Sequence, residues 1–440
     1  MSELHPGWLD EPATQRLLRA FAAAGIEMRF VGGCVRDALL GIETGDIDIA
    51  TPARPEQVTA ALAAAQIKAL PTGIAHGTVS AVIRPRTFEI TTLRRDVETF
   101  GRHARVAFDA GWAEDAARRD FTVNAVYLAP DGRLYDPAGG RADLAARRVR
   151  FVGDPATRIA EDVLRILRYY RFEARFGHGG GDPAARAACR DAVGKLSTLS
   201  VERVSRELLR LIAGPDPVRA LSLMRDDGVL AAILPEATRI DRLERLIPLE
   251  APTPTLPRRR GRETAPPPPP AGEGRGGGEA GDSILRLAAL IDTDASGAVA
   301  MAQRLRLSVA QQRRLAGLAK PWPLDPAGDA HAQRRALYRL GRERCRDLAR
   351  LLAADGDIAA AQLKTLLGRV ETWRIPVFPL TGDDVTARGI APGPRVGELL
   401  AAVRRWWEEG DFAADRAACL AQLATLIRSP APPRGAAPGC

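Results

Sequence analysis

Gly32-Gly33-Cys34-Val35-Arg36-Asp37, followed closely by Asp46-Ile47-Asp48, is the stretch on which the reading of this chain turns. Two carboxylates two residues apart on a strand point to the same face. Such a pair can share divalent metal ions, and the Gly-Gly turn before it lets backbone N–H groups approach an anion closely. Either feature alone is ordinary, since paired acids occur in many turns and Gly-Gly before a helix is common packing. Together they point to a metal and a phosphate.

The flanking residues alternate between strand and helix signals. Gln15 to Ala24 carries Leu17, Leu18, Phe21 and Ala24 at helical spacing and ends at Gly25. Met28 to Val31 reads as the strand that delivers the Gly-Gly turn, Val35 to Leu40 as a helix stopped by Gly41, and Asp46 to Ala50 as the acid-bearing strand. Pro55 to Gln66 is an Ala-rich helix, and Thr78 to Arg84 with Arg86 to Leu93 alternates like a hairpin around Pro85. From Ala156 onward the patterns are almost wholly helical, so an α+β head followed by an all-α remainder is the simplest partition. Residues 248–282 depart from it, with Arg258, Arg259, Arg260 and Arg262, the prolines Pro266 to Pro270, and a Gly-rich run. So few apolar side chains cannot offset the ordering entropy, and a disordered insertion is expected there.

The chain has 440 residues, room for several domains with an ample core. Its 63 Lys+Arg against 54 Asp+Glu give a net charge of +9, which suits a polyanionic partner, although a solvated basic surface or a GC-rich genome also produces it. Cys34, Cys189, Cys345, Cys419 and Cys440 form no close C-x-x-C pair, so neither a zinc knuckle nor a disulfide framework is signalled. No apolar run approaches the roughly 18 residues of a membrane span. A soluble, reduced, cytoplasmic protein is expected, with no membrane partner. His76 and His103 fall in turn or loop contexts without metal-ligand spacing.

Two further blocks carry chemistry. In Arg118-Arg119-Asp120-Phe121-Thr122-Val123-Asn124-Ala125, Arg119 is suited to a phosphate or sugar oxygen and Asp120 to a ribose hydroxyl; alone, the block would read as a salt bridge at a helix start. In Glu161-Asp162-Val163-Leu164-Arg165-Ile166-Leu167-Arg168-Tyr169-Tyr170-Arg171-Phe172, helical spacing places Asp162, Arg165, Arg168 and Arg171 in one drifting polar stripe. A carboxylate facing an exocyclic amine and a guanidinium facing a ring nitrogen accept cytosine and adenine and leave uracil and guanine mismatched. Each unpaired polar group in a desolvated site costs about 1–3 kcal/mol. Between these blocks, Asp136-Pro137-Ala138-Gly139-Gly140 reads as a turn-rich connector.

Taken in order, Gly-Gly-x-Val-Arg-Asp with Asp-x-Asp, Arg-Arg-Asp-Phe-Thr-x-Asn-Ala, Asp-Pro-x-Gly-Gly and Glu-Asp-x-x-Arg-x-x-Arg-x-x-Arg-Phe resemble class II tRNA nucleotidyltransferases, the CCA-adding enzymes that share a head with bacterial poly(A) polymerases. These motifs span residues 30 to 176. Val201 to Leu208, Gly228-Val229-Leu230 with Leu234-Pro235-Glu236, and Phe378 to Asp384 with Gly389 to Pro394 resemble the same family's neck, body and tail.

The resemblance implies a polymerase-β-like nucleotidyltransferase head with a mixed sheet over 1–150, an all-α neck with the base-reading helix over 151–215, an RNA-binding body over 216–247 and 283–370, and a tail over 371–440. It implies template-independent addition or repair of the tRNA 3′-terminal CCA from CTP and ATP, with Mg²⁺ as cofactor and tRNA as partner. By its motifs, Asp46 and Asp48 would hold the metal, Gly33 and Arg36 would contact the triphosphate, and Arg119 and Asp120 would address sugar and phosphates. Asp162 and Arg165 would read the base, with Arg168 and Arg171 supporting the nucleotide. Arg94 to Trp112 matches the family's mobile loop, and Glu89 would be an extra acid near the metals. An A-adding enzyme or poly(A) polymerase of the same fold, or a silent RNA-binding protein, stays open as an alternative. A Rossmann binder is excluded, because no G-x-G-x-x-G follows a strand.

Overall fold

The computed structural model describes residues 3–73, 77–100, 103–108, 110–250 and 281–428. The chain divides into two compact units, Met1–Ala316 and Gly317–Cys440.

The first unit opens with α1 (Pro12–Ala23), β1 (Arg29–Val31), α2 (Gly33–Leu39), β2 (Ile47–Thr51) and α3 (Pro55–Ala64). Then come β3 (Lys68–Gly73), β4 (Thr78–Ile83), β5 (Arg86–Thr92), β6 (Arg95–Phe100), β7 (His103–Ala107) and α4 (Trp112–Ala117). A single 3₁₀ turn at Thr122–Asn124, β8 (Tyr127–Leu128), β9 (Leu134–Tyr135) and α5 (Gly140–Ala145) complete the head. Seven strands form one sheet in the order β3-β4-β5-β2-β1-β8-β9, while β6 and β7 form a separate hairpin. Only β2 and β5 pair in parallel; the other neighbours are antiparallel, which makes the sheet mixed.

Strand alternation sorts the two faces. Phe30, Ile47, Ile49, Phe88 and Ile90 point into a core shared with Leu17 and Phe21 of α1 and Val58 and Leu62 of α3. Each such fully buried side chain contributes about 1.5–3 kcal/mol. Val31, Ala50 and Tyr127 face the other way, into a smaller cluster with Ala116 of α4 and Leu93. Asp48 is paired with Val31, so it lies on this second, thinly covered face.

The remaining helices are α6 (Pro155–Glu161), α7 (Arg165–Phe176), α8 (Pro183–Asp191), α9 (Val201–Ile212), α10 (Pro217–Asp226), α11 (Val229–Ile233), α12 (Ile240–Glu250), α13 (Ser283–Leu290), α14 (Ala295–Arg304) and α15 (Val309–Leu318). The second unit continues with α16 (Ala330–Leu340), α17 (Arg342–Asp355), α18 (Ala360–Thr372), α19 (Gly382–Thr386), α20 (Pro394–Glu409) and α21 (Arg416–Arg428). There Leu380, Val385, Leu399, Val403, Trp407 and Leu423 form a core of their own. No described helix is long and apolar enough to cross a membrane.

The α+β architecture expected from the sequence is the one that forms, with three local differences. Glu161 to Phe172 is two helices, not one: α6 stops at Glu161, and Asp162 adopts φ −149° and ψ 106° before α7 begins. Its carboxylate accepts from the Leu164 N–H at 3.1 Å, a local bond that competes with helix continuation. Asp162 therefore stands in the break, off the stripe that Arg165, Arg168 and Arg171 share on α7. The second difference is the β6–β7 hairpin inside the expected loop of Arg94 to Trp112, which places His103 at a strand start. Third, β3, β8 and β9 were not foreseen; their short or Gly- and Pro-containing sequences carry little alternation. The insertion expected at 248–282 lies outside the described residues except at its ends, where 248–250 still belong to α12. His76 also lies outside them.

Candidate active site

The site begins where β1 ends. Gly32 takes φ 78° and ψ −133° as it caps α2, a conformation side chains rarely adopt. A Cβ placed there would stand 3.4 Å from Oδ2 of Asp48 and 3.9 Å from Nη1 of Arg119. The Gly-Gly turn, one acid of the D-x-D pair and one arginine of the second block thus converge on a single point. Asp46 lies exposed immediately before β2 and Asp48 half-buried within it. Glu89 of β5 is in register with Asp48, and burial, aided by the charge of Asp46, raises its pKa above the ordinary carboxylate value. Cys34 sits beneath the turn with its Sγ donating to the Val31 carbonyl at 3.3 Å. Burial first, and then the Asp48 charge, pushes this thiol up to about 12, so it packs as an inert side chain.

Arg36, one turn along α2, is buried. Its Nε donates to Asp37 Oδ1 at 2.9 Å, its Nη1 donates to Asn124 Oδ1 at 2.7 Å, and its guanidinium lies 4.3 Å from the Phe176 ring centre. Its Nη2 is 3.6 Å from the position a Gly33 Cβ would take, so its charge lies directly against the turn.

The second block leaves α4 and runs under the sheet. Arg118 and Arg119 both grip the buried Asp115, which sequence reasoning missed. The i, i+4 spacing of Asp115 and Arg119 was the available signal. Asp120 has both oxygens engaged by Phe121 N–H, Asn124 Nδ2 and the Arg168 guanidinium. Asn124 consequently joins Arg36 to Asp120 through its two amide atoms. Gly140 closes the connector: a Cβ there would fall 2.0 Å from the Thr122 carbonyl oxygen, so α5 can approach this block only without a side chain. The Asp136 carboxylate holds that approach by accepting from Gly140 N–H at 2.8 Å and Arg141 N–H at 3.0 Å.

On α7 the arginines are held one by one. Arg165 pairs with Glu161 and donates to the Arg158 carbonyl at 2.9 Å and the Arg118 carbonyl at 3.2 Å. Arg168 pairs with Asp120, Arg171 with Glu207 at 2.6 Å, and Arg175 with Asp37 at 3.2 Å. Asp162 accepts from Arg203 Nη2 at 2.7 Å rather than from Arg165. The helix is thus tied to the head at Asp37, Asp120 and the Arg118 carbonyl, and to α9 at Glu207, while Arg203 of α9 holds the break that precedes it. Glu207, Arg203, Asp37 and Arg175 could not be paired from the sequence, because their partners are distant along the chain.

Comparisons with known proteins give the family to which the chain belongs. The poly A polymerase head domain family matches residues 28–150, and the family described as the probable RNA and SrmB-binding site of polymerase A matches 182–240. The crystal structure of the Bacillus stearothermophilus CCA-adding enzyme in complex with CTP superposes with a TM-score of 0.71 at 27% identity, covering 95% of this chain and 98% of that one. The Thermotoga maritima CCA-adding enzyme complexed with tRNA shares the fold, with a TM-score of 0.63 at 19% identity over 97% and 100% of the two chains. Fold and site define a nucleotidyltransferase. The mitochondrial CCA tRNA nucleotidyltransferase 1 of Mus musculus is 32% identical over 403 residues, 90% of this chain and 86% of that protein. The chain belongs to the CCA tRNA nucleotidyltransferase family.

Proposed function

We propose that the protein builds or repairs the CCA end of tRNA from CTP and ATP, releasing pyrophosphate at each addition. The convergence of Gly32, Asp48 and Arg119 on one point carries this reading, because it sets an anion-accepting turn, a metal-type carboxylate and a cation side by side.

Asp46 and Asp48 are the residues assigned to the metal. They offer hard oxygen donors, and Glu89 stands in register with Asp48 on the adjoining strand. Magnesium is held in this way, by one or two carboxylates together with substrate phosphates. When bound, Mg²⁺ would activate the tRNA 3′-hydroxyl and neutralise charge on the phosphates. The chain's own residues do the positioning. The N–H groups at Gly33 receive the triphosphate, with the Arg36 charge behind them, and Arg119 faces the sugar and phosphates. Asp120 acts through Arg168, since its oxygens already have protein donors. Asp162 in the α6–α7 break and Arg165 at the start of α7 read the base, and Arg171 fixes the outer part of α7 through Glu207.

The same reading places a head over 1–150, a neck over 151–215, an RNA-binding body over 216–247 and 283–370, and a tail over 371–440. It also places the protein in the cytoplasm, in keeping with the four described cysteines, all buried free thiols.

The test is incorporation on tRNA transcripts lacking CCA, with labelled CTP and ATP supplied singly and together in magnesium and resolved at single-nucleotide length. Two additions with CTP alone and a third only when ATP joins are expected. Extension by A alone would move the assignment to an A-adding enzyme or poly(A) polymerase, and no extension would leave an RNA-binding protein.

A further inference from the structure

We propose that Asp115 and Tyr127 are positioning residues that fix the Arg119 guanidinium with one edge toward the Gly32–Asp48 point. The proposal rests on the reading of Arg119 as a nucleotide contact. Asp115, on α4, and Tyr127, on β8, are both buried, at 1% and 0% exposure. Asp115 Oδ2 accepts from Arg119 Nε at 3.3 Å and Nη2 at 3.1 Å. The Tyr127 hydroxyl donates to the same Oδ2 at 2.7 Å and accepts from Arg119 Nε at 3.2 Å. Both Nε and Nη2 are therefore held from the protein side. Nη1 is the nitrogen that neither residue holds, and it is the one that lies 3.9 Å from the Gly32 Cβ position.

A guanidinium gripped along one edge cannot rotate about its Cδ–Nε bond, so its other edge is aimed before substrate arrives. The charge states suit the cradle. Burial opposes ionisation of Asp115, but Arg119 and Arg118 more than offset it and hold the carboxyl below its usual value. Burial raises the Tyr127 phenol, which keeps the proton that it donates. The Tyr127 ring is separately fixed by edge contact with Trp112 at 5.6 Å, and it meets Arg119 at 5.3 Å. Tyr127→Phe therefore keeps the ring and removes only the hydroxyl.

The experiment measures single-nucleotide addition of CTP and of ATP by Tyr127→Phe, Arg119→Ala and the double variant, with melting temperature and tRNA affinity alongside. Tyr127→Phe is expected to lower kcat/KM about 10-fold for both nucleotides. The tRNA affinity should stay at its wild-type value, the melting temperature should fall by no more than the loss of one buried hydrogen bond, and the substitution should add nothing to the loss of kcat/KM in the Arg119→Ala background. Asp115→Asn, which keeps an acceptor oxygen, gives the same reading from the other side of the cradle, including where Tyr127→Phe does not fold. Equal losses in both backgrounds, or a lowered melting temperature with unchanged kcat/KM, would reduce Tyr127 to a structural role and overturn the proposal. Wild-type activity of Tyr127→Phe beside a disabled Arg119→Ala would overturn the cradle alone. An active Arg119→Ala would remove the underlying reading of Arg119 and the cradle with it.

Discussion

Asp120, just after α4, holds Arg168 of α7: its Oδ2 accepts from the Arg168 Nε at 2.8 Å, while its Oδ1 accepts from Phe121 N–H at 2.8 Å and Asn124 Nδ2 at 3.1 Å. Burial alone would raise this carboxyl, but Arg168 and Asn124 more than offset that and hold it far below the usual carboxylate range. Because the folded value is depressed, the stabilisation is complete above the unfolded value of about 3.8 and is lost as pH falls from there through the folded value. Asp120→Asn should therefore cost about 2 kcal/mol at neutral pH. Denaturant unfolding of both proteins across a pH series should show that difference shrinking only below pH 3.8. A difference that widened on acidification would refute the assignment.

Gly32 makes a sharper case, because backbone and site coincide there. Its φ of 78° and ψ of −133° suit glycine alone, and the missing Cβ leaves 3.4 Å to Asp48 Oδ2. Gly32→Ala should cost about 1–3 kcal/mol in strain. Nucleotide addition should fall much further than stability, since the turn must shift against the carboxylate it serves. Thermal melts beside turnover would decide it, and a variant that melts earlier yet turns over normally would detach the turn from the reaction.

What could be read from the chain alone follows from how local each signal is. Gly32 follows β1 and Asp48 lies on the neighbouring β2, joined to it by a short helix, so strand alternation and the glycine pair were enough to place these two together, whereas Asp46 falls just before the strand. The break at Asp162 was hidden, because Asp-x-x-Arg spacing fits a continuous helix as well as a capped one. Asn124, Glu207, Arg203 and Tyr127 acquire their roles from partners on other elements, which periodicity cannot reveal. The β3 edge was missed because Pro71 and Gly73 mask its alternation.

Arg203 of α9 offers a test of base choice away from the motif itself. Its Nη2 donates to Asp162 Oδ2 at 2.7 Å, and both side chains are about a quarter exposed. Removing it leaves the Asp162 carboxylate held only by the Leu164 N–H at 3.1 Å. Arg203→Ala should thus raise incorporation of UTP relative to CTP by about 10-fold, the equivalent of one lost oriented hydrogen bond. Competition assays with paired nucleotides measure this ratio, and unchanged discrimination would separate Asp162 from base reading.

The two ends of the Pro/Gly-rich segment lie close enough to be joined. Glu250 closes α12, and its Oε2 accepts from Arg286 Nε of α13 at 2.7 Å, with both side chains largely buried. Arg286 also donates to the carbonyls of Ile212 at 2.9 Å and Gly214 at 2.7 Å, so the junction is anchored to α9 independently of residues 251–280. Replacing those residues by a short Gly-Ser link should therefore leave the melting temperature and single-nucleotide addition close to wild type. Doubling a loop's length changes its closure cost by only about 0.6 kcal/mol, so shortening it should not strain the helix pair. If tRNA affinity fell on deletion and the loss disappeared at high salt, Arg258, Arg259, Arg260 and Arg262 would be phosphate contacts rather than part of a passive tether. Filter binding over a salt series distinguishes the two outcomes.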